Sequence, residues 1–277
     1  MLDIFTRRYL LKVLVKKDVT TRYRNSVFGW LWSYAKPAAQ FLVYYLVMGH
    51  ILGLSRGIDN FPVYLFSGIV VVNLFNESFS NATTSIVSNK ALVKKIYLPR
   101  ELFPVATVIV AFVHFLPQVA ILLVVALLTG WVPSLMGIGA ALLGMLLILM
   151  FSTGLGLFFG ALNVAFRDAQ NFVEIIRTFA TWTAPVLYSW TMLADKAPAW
   201  LLHIYMCNPL TVAVEFFHQA FWFSTSTGAL ANPPEDALFP PPLLPLYAVV
   251  AFVIAICTIV VGQLVFRRFE RNFAQDL

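Results

Sequence analysis

Six long apolar stretches decide what this chain can fold into. A helix needs roughly 20 predominantly apolar residues to cross about 30 Å of hydrocarbon. Of the 277 residues, 60% are hydrophobic and only 12% are charged, whereas soluble domains average about 25% charged residues. The sequence therefore predicts an all-α integral membrane protein with six transmembrane helices. They run over about 30–53, 61–80, 102–129, 135–163, 172–193 and 244–266.

Positive charge fills every second link between these stretches. Arg56 and Lys196 are the only basic residues of the alternate links. Because cytoplasmic loops are enriched in Lys and Arg, both termini are predicted to face the cytoplasm. The net charge of +6 then reflects topology, and nucleic acid is not an expected partner. Beyond the N-terminal segment, the basic residues of the charged links are Lys90, Lys94, Lys95, Arg100, Arg167, Arg177, Arg267, Arg268 and Arg271.

Residues 1–29 form a segment of a different kind, with seven basic side chains. They are too charged to span a membrane, and they lack the apolar core of a cleavable signal peptide. A helix on the cytoplasmic interface is favoured, and a flexible basic tail is the alternative. Trp30 and Trp32 follow at once, as expected of aromatic anchors where a span enters the membrane. Residues 30–277 then make the transmembrane domain.

The segment 197–223 is apolar and aromatic but is broken by Asn208 and Pro209. Each half is about 15–20 Å long as a helix, which is too short to cross the bilayer. We predict a re-entrant helical pair at the outer face before the last span, where it must be buried in protein or line a wet cavity. Two helices lying on the outer surface are the alternative. The proline-rich residues 233–245 predict an extended outer loop.

Five polar residues at spacings of three and four mark one face of the second span. Polar groups are costly in hydrocarbon and normally face a bundle interior or a water-filled path. A stripe along a translocation route and a set of helix–helix hydrogen bonds are equally good interpretations. The five are Asn73, Asn76, Glu77, Ser80 and Asn81.

Other motifs indicate packing more than chemistry. Gly154, Gly156 and Gly160 lack the spacing of a phosphate loop, and the last two form a GxxxG packing step. Glu215 and His218, three residues apart, are too few ligands for a metal site, and none is predicted. The cysteines, Cys207 and Cys257, are read as small apolar side chains. The sequence contains no catalytic triad pattern and no G-x-x-x-x-G-K-[ST] loop.

Four stretches in the right order resemble one known family. They are Arg22-Tyr23-Arg24-Asn25-Ser26 leading to Trp32 and Lys36-Pro37, then 89–101 with Leu98-Pro99-Arg100-Glu101, then Arg167-Asp168 with Pro185-Val186-Leu187-Tyr188, then Asn208-Pro209. The pattern is similar to that of ABC-2 type permeases, in particular the polysaccharide exporters of the O-antigen (Wzm) and teichoic acid (TagG/TarG) types. Phe28 and Ala184 depart from that family's usual residues.

The resemblance implies a homodimer docked on two copies of a separate ABC ATPase, which would bind the ATP and Mg, with no cofactor on this chain. It implies export of a lipid-linked polysaccharide across the bacterial cytoplasmic membrane. The segment 88–100 would be the coupling helix, and 197–223 would form the outer gate. The implied ATPase-coupling residues are Asn89, Lys90, Lys94, Lys95, Tyr97, Arg100, Arg22, Arg24, Arg167 and Asp168, and the implied gate residues are Trp200, Asn208, Pro209, Glu215 and His218.

A glycan channel needs rings for sugar stacking and polar groups for hydroxyl hydrogen bonds. The candidates for its lining are Tyr44, Tyr45, Asn73, Phe75, Asn76, Glu77 and Phe79. A permease for a small molecule or drug, a polytopic glycosyltransferase and a proton-coupled transporter are alternatives. The scattered acidic residues disfavour the glycosyltransferase, and Glu77 as the one clear intramembrane carboxylate disfavours the proton-coupled transporter. The glycan itself stays open among O-antigen, teichoic acid, capsule and galactan types.

Overall fold

The computed structural model describes residues 8–22, 28–53, 55, 58–95, 98–194, 196–226 and 243–273. Every regular element in these ranges is a helix, which agrees with the all-α prediction. Residues 1–7 lie outside the described residues, and so does the Pro-rich loop except for residues 243–245. The helices are α1 (Arg8–Arg22), α2 (Trp32–Tyr44), α3 (Phe61–Ser88), α4 (Lys90–Lys95), α5 (Leu102–Leu128), α6 (Leu135–Ala165), α7 (Ala169–Thr183), α8 (Trp190–Ala194), α9 (Ala199–Met206), α10 (Pro209–Phe217) and α11 (Leu244–Glu270).

Four helices are long and apolar enough to cross a membrane, namely α3, α5, α6 and α11. At 1.5 Å per residue, each of them exceeds the roughly 30 Å of hydrocarbon. Helix α6 lies at the centre and packs against α3 and α11, while α5 packs mainly against α3 and also contacts α6. Helix α3 is the most buried of the four. The core therefore forms around α3, and polar side chains on this helix are enclosed by protein on several sides.

The first and fifth predicted spans differ from the other four. Helix α2 continues through the wider π-helical turns of Tyr45–Ile51. Helix α7 ends at Thr183 after 15 residues, or about 22 Å, because Ala184 is extended at ψ 143° ahead of Pro185, as residues before proline prefer. The prediction of one continuous helix over 172–193 is therefore wrong. Five residues of helix, α8, follow the break.

Glycines bring α6 and α11 into backbone contact. A Cβ on Gly154 would lie 2.6 Å from the backbone of Thr258 and Ile259, and one on Gly262 would collide with the Gly154 carbonyl. On the neighbouring side of α6, a Cβ on Gly156 would collide with Ala82 of α3. Small residues allow this close approach between spans. The glycine-rich stretch is thus part of the packing of three helices.

The segment 197–223 consists of two helices with unlike surroundings. Helix α9 is mostly exposed, whereas every residue of α10 is buried, packed against α6, α3 and α11. Asn208 caps α10, with its Oδ1 accepting a hydrogen bond from the Leu210 N–H over 3.0 Å. Pro209 occupies the first helical position, where its missing N–H costs nothing. π-Helical turns continue α10 to Trp222. Its re-entry from the outer face stays a prediction.

A second, smaller apolar cluster joins the helix ends at one pole of the bundle. It contains Leu14 of α1, Val93 of α4, Phe103 of α5, and Phe266 with Phe273 at the end of the chain. Helix α1 lies along α5 with Leu14 as its buried residue. The N-terminal helix and the short basic helix α4 are therefore anchored on the same end of the same bundle.

Candidate functional site

A polar cavity of about 310 Å³ opens among α1, α2, α3, α5 and α7. Its wall combines positive, amide and hydroxyl side chains from segments that are far apart in the sequence. The lining residues are Arg22, Trp32, Ser33, Lys36, Pro37, Gln40, Asn73, Asn76, Glu77, Ser80, Asn81, His114, Gln118 and Arg177.

Helix α3 supplies the longest part of this wall. All five residues of its polar stripe, Asn73 to Asn81, line the cavity, as one helical face should. Phe75 and Phe79 lie on the opposite face, where they pack against Phe151 and Phe159 of α6. At 2% and 0% exposure, these two rings belong to the core of the protomer and not to the cavity wall.

Glu77 is the centre of the cavity's charge. Its Oε1 lies 2.7 Å from Nδ1 of His114 on α5 and also accepts a hydrogen bond from the guanidinium of Arg22 at the end of α1. The Arg22 Nη1 in turn lies 2.8 Å from the same His114 nitrogen. Opposite charges and hydrogen bonds offset the cost of placing a carboxylate among spans. Three helices thus meet at this carboxylate.

Amide side chains extend the network along α3. Asn76 Nδ2 donates to Thr181 Oγ1 of α7 over 3.0 Å, and Nε of Arg177 lies 3.4 Å from Asn76 Oδ1. Asn73 Nδ2 donates to Gln118 Oε1 of α5 over 3.3 Å. The same residues of the stripe therefore form hydrogen bonds between helices and also line a cavity, as the two interpretations of the stripe each predicted.

The cavity has an excess of positive charge. Arg22, Lys36 and Arg177 are cations and Glu77 is the one carboxylate, which gives a formal net charge of +2 from these four residues. Glu77 neutralises Arg22. Among the residues that the structure describes, Lys36 and Arg177 have no carboxylate oxygen within 4 Å. Glu174, on the same helix as Arg177, acts on its guanidinium electrostatically from beyond that distance, so the positive charge of Arg177 is partly offset.

Of the two tyrosines proposed for the channel lining, Tyr44 borders a cavity and Tyr45 packs among other rings. Tyr44 lines a narrow space next to the polar cavity, together with Gln40 and Thr181. Tyr45 stacks on Phe41 at 5.8 Å between ring centroids and contacts the His50 ring edge to face. Tyr45 is not part of the described cavity walls.

The residues proposed to contact an ATPase divide into exposed and anchored groups. Lys90, Lys94 and Lys95 of α4 are exposed around the buried Val93, and Arg167 and Asp168 are exposed between α6 and α7. Arg24 and Tyr97 fall outside the described residues.

Arg100 and Asn89 are anchored. Arg100 donates to the Glu270 carbonyl and lies 5.7 Å from the centre of the Phe273 ring. Asn89 Oδ1 accepts from Lys17 Nζ of α1 over 2.6 Å. This last bond joins α1 to the turn before α4. Helix α1 therefore contacts the start of α4 through Lys17 and the polar cavity through Arg22.

The proposed gate residues also differ in exposure. Trp200 is 64% exposed on α9, whereas Glu215 and His218 are buried at 1% and 0%. The His218 ring stacks on Tyr64 of α3 at 3.9 Å, and its Nδ1 lies 3.7 Å from Glu215 Oε1. Both belong to the core beside α3. Within the described residues, no group of three or more His, Cys, Asp or Glu side chains could hold a metal ion.

Sequence reasoning missed several residues of the cavity wall, among them three that bond across helices. His114 was missed because its bonding partner Glu77 is 37 residues away on another helix. Gln118, one turn further along α5, was missed for the same reason. Arg177 was interpreted as topological charge alone. The available signal was a polar pair, His114 and Gln118, at spacing four within an otherwise apolar span.

The model of the ABC-2 type transporter family matches residues 9–222. The O-antigen export system permease protein RfbA of Klebsiella pneumoniae is 27% identical over 97% of this chain and 95% of its own length. RfbA of Myxococcus xanthus is 26% identical over 79% and 83%. The polysialic acid transport protein KpsM of Escherichia coli is 22% identical over 77% and 81%.

Proposed function

Because this chain belongs to the ABC-2 type transporter family, we propose that it is the permease subunit of an ATP-driven exporter of lipid-linked polysaccharide. The relatives support the polysaccharide: their names describe O-antigen export, polysialic acid transport and capsule polysaccharide export. An RfbA covers nearly the whole chain, and the O-antigen type is therefore the leading candidate. A small molecule or drug is the weaker alternative.

The chain supplies the route and not the energy. Its sequence has no phosphate-binding loop for ATP, so we assign ATP and Mg to a separate ABC ATPase. Two copies of this permease would pair with two ATPase subunits in the bacterial cytoplasmic membrane, with both termini on the cytoplasmic side. Six crossings would be completed by α2 with its π-helical continuation and by α7 with α8 across the break at Pro185.

The observation that carries the proposal is the polar cavity enclosed by the apolar spans. Fourteen side chains line it, and among them only Trp32 and Pro37 lack a charged, amide, hydroxyl or imidazole group. Such groups are expensive among membrane helices unless they face water or a polar solute. Amide and hydroxyl groups suit a glycan, which presents many hydroxyls. We therefore place the cytoplasmic part of the export route along α3.

Coupling to the ATPase would use the pole where α1 and α4 meet. The exposed lysines of α4 surround Val93, which anchors the helix in the second apolar cluster. A displacement of α4 by the ATPase would be transmitted to the cavity through α1, because Lys17 of α1 is bonded to Asn89 and Arg22 of α1 to Glu77. At the other end, α9 and α10 are proposed to gate the outer exit, with α10 fixed in the core and α9 exposed.

Depletion of the protein tests this function. Cells would be depleted by regulated expression, and lipid-linked glycans would be extracted and identified by mass spectrometry. We expect one lipid-linked polysaccharide to accumulate on the cytoplasmic side and its surface form to fall. Re-expression of the wild-type chain should reverse both changes. Normal surface glycans with no accumulated intermediate would contradict the proposal, and a small-molecule phenotype in their place would favour the alternative.

A further inference from the structure

The end of α11 is bonded to the residues that lead from α4 into α5. Arg100 Nη1 donates a hydrogen bond to the Glu270 carbonyl, one of the carbonyls at a helix end that have no partner within the helix. The next residue, Glu101, is buried, and its Oε1 accepts a hydrogen bond from Gln263 Nε2. Two consecutive residues before α5 therefore contact α11 at positions about two turns apart.

The chain after α11 folds back onto the same place. Phe273 is buried at 0% exposure, and its ring meets the Phe266 ring edge to face, with 5.4 Å between the centroids. The Arg100 guanidinium lies over the Phe273 ring, whose negative face attracts a cation. Together these interactions are called the α5–α11 contact below. It consists of Arg100, Glu101, Gln263, Glu270 and Phe273.

The α5–α11 contact contains more than the capping of a helix end requires. Water or a basic side chain is enough to satisfy the last carbonyls of a helix. Glu101, however, is a buried carboxylate that reaches Gln263 and also lies 3.8 Å from Nε of Arg267. A buried polar group that has its partners in place holds them in one arrangement, because separating them leaves it unsatisfied. The contact therefore determines where the end of α11 lies relative to the start of α5.

The position of this contact joins two parts of the molecule. On one side, residues 96 and 97, which lie outside the described residues, are all that separates α4 from Leu98 in the sequence. On the other side, Gln263 directly follows Gly262, where a Cβ would collide with the Gly154 carbonyl of α6. Helix α11 packs along α6 and α10, whereas α5 packs mainly along α3. The two consecutive side chains thus connect the end of α4 with the place where α11 touches α6.

We propose that Arg100 and Glu101 are positioning residues that transmit a displacement of α4 to α11. This inference rests on the proposed function, since the displacement would come from an ATPase bound at α4. It adds a second connection to the one through α1. The first reaches Glu77 in the wall of the polar cavity, and the second reaches a helix that contributes no residue to that wall.

The test uses the full complex of the permease with its ATPase and measures hydrogen exchange over residues 267–273 with and without ATP. Addition of ATP should change exchange there in the wild-type complex. Gln263→Leu removes the donor to Glu101 and suits a membrane helix. It should speed exchange without ATP about tenfold, since a hydrogen bond to a charged group is worth at least about that factor. It should also abolish the response to ATP and lower export per ATP hydrolysed severalfold.

An exchange of the two side chains separates positioning from general damage. Gln263→Glu alone sets two carboxylates against each other, and their repulsion should abolish the response to ATP. Adding Glu101→Gln reverses donor and acceptor and restores the bond. Arg267 then lies four residues from the carboxylate at position 263, where the two charges attract. The double variant should recover the wild-type response and export. Arg268→Gln, at an exposed cation on the same helix end, is the control and should change neither.

The outcomes separate this inference from the proposed function. A wild-type response to ATP in Gln263→Leu would overturn the transmission, even where depletion accumulates a glycan and the export function stands. A lower unfolding temperature with that response intact would mean that the contact only caps α11, and no response in the wild-type complex would equally refute the inference. Loss in both single variants with recovery in the double variant would support it, and this result does not depend on the glycan that the transporter exports.

Discussion

His114 Nδ1 lies 2.7 Å from Glu77 Oε1, although α5 and α3 place these residues on different apolar helices. The Glu77 carboxylate contacts both His114 and Arg22, and it therefore ties the end of the N-terminal helix to the membrane-spanning bundle. Loss of this carboxylate would therefore affect two things at once, the charge of the cavity and the attachment of α1.

Glu77→Gln should loosen α1. The variant removes the negative charge that holds Arg22, whose side chain is 43% exposed, so solvent screening limits the cost to about 1 kcal/mol. We expect faster hydrogen exchange over residues 8–22 and altered export in a reconstituted complex. Asp59→Asn, at an exposed carboxylate just before α3, is the control and should leave exchange over residues 8–22 unchanged. Unchanged exchange together with unchanged export would contradict both the anchoring of α1 by Glu77 and a role of Glu77 in transport.

Charge reversal at Lys94 and Lys95 should separate ATP hydrolysis from export. Both side chains are exposed on α4, so Lys94→Glu with Lys95→Glu should insert and fold normally while altering contact with an acidic or polar cleft of the ATPase. Export by the complex should fall severalfold while hydrolysis continues. The matched control is Arg271→Glu, an exposed cation after α11. Export at the wild-type rate by the double variant would rule out the coupling role.

Gly154→Ala should destabilise the bundle, whereas Gly139→Ala on the same helix should not. The first Cβ would lie 2.6 Å from backbone atoms of α11, and the second would meet nothing within 4 Å. Overpacking typically costs about 1–3 kcal/mol, while Gly to Ala in an open helical site gains up to about 1 kcal/mol. Thermal unfolding in detergent, followed by size-exclusion fluorescence, measures both. An equal stability of the two variants would contradict the close contact of α6 and α11.

Tyr64→Phe should loosen the break after α7. The buried Tyr64 hydroxyl is 3.1 Å from the Pro185 carbonyl and 2.8 Å from the Tyr188 carbonyl, and it bonds segments more than 120 residues apart. Removing it leaves a buried carbonyl with fewer donors and should cost about 1–3 kcal/mol. Faster hydrogen exchange over 184–194 and a lower unfolding temperature are expected. Tyr9→Phe, at a ring that is 76% exposed, should behave as wild type; a matching result at Tyr64 would count against this role.

The spans could be predicted where hydropathy alone determines them. Helices α3, α5, α6 and α11 begin within a residue of the predicted positions, because about 20 apolar residues have few alternatives in a membrane. The fifth stretch failed at Ala184 and Pro185, since an average over a window conceals a single proline that ends a helix. The end of α3 was also placed eight residues early, because Asn81 and Thr84 lower the hydropathy without interrupting the helix.

Only the part of the cavity wall that lies on a single helix, α3, could be predicted from the sequence. The 3.6-residue period placed Asn73, Asn76 and Glu77 on a common face, and this face lines the cavity. The period could equally have separated Phe75 and Phe79 from that face, but their aromatic character led to the opposite assignment. His114 and Arg177 could not be assigned, since their partners lie across helix–helix contacts that no local pattern records.

The backbone contact between Gly154 and Gly262 has a mechanical consequence. Helices that touch through their main chains have no long side chains between them that could change rotamer, so α6 and α11 should move as one rigid body. The collision expected for a Cβ on Gly156 extends that body to α3. Of the other walls, α1, α2, α5 and α7, the helices α2 and α7 end in π-helical turns and at a proline break, so widening of the cavity during transport is expected to displace these two. The mobile part of the transporter is thereby expected on the side where its sequence least resembles an ordinary membrane span.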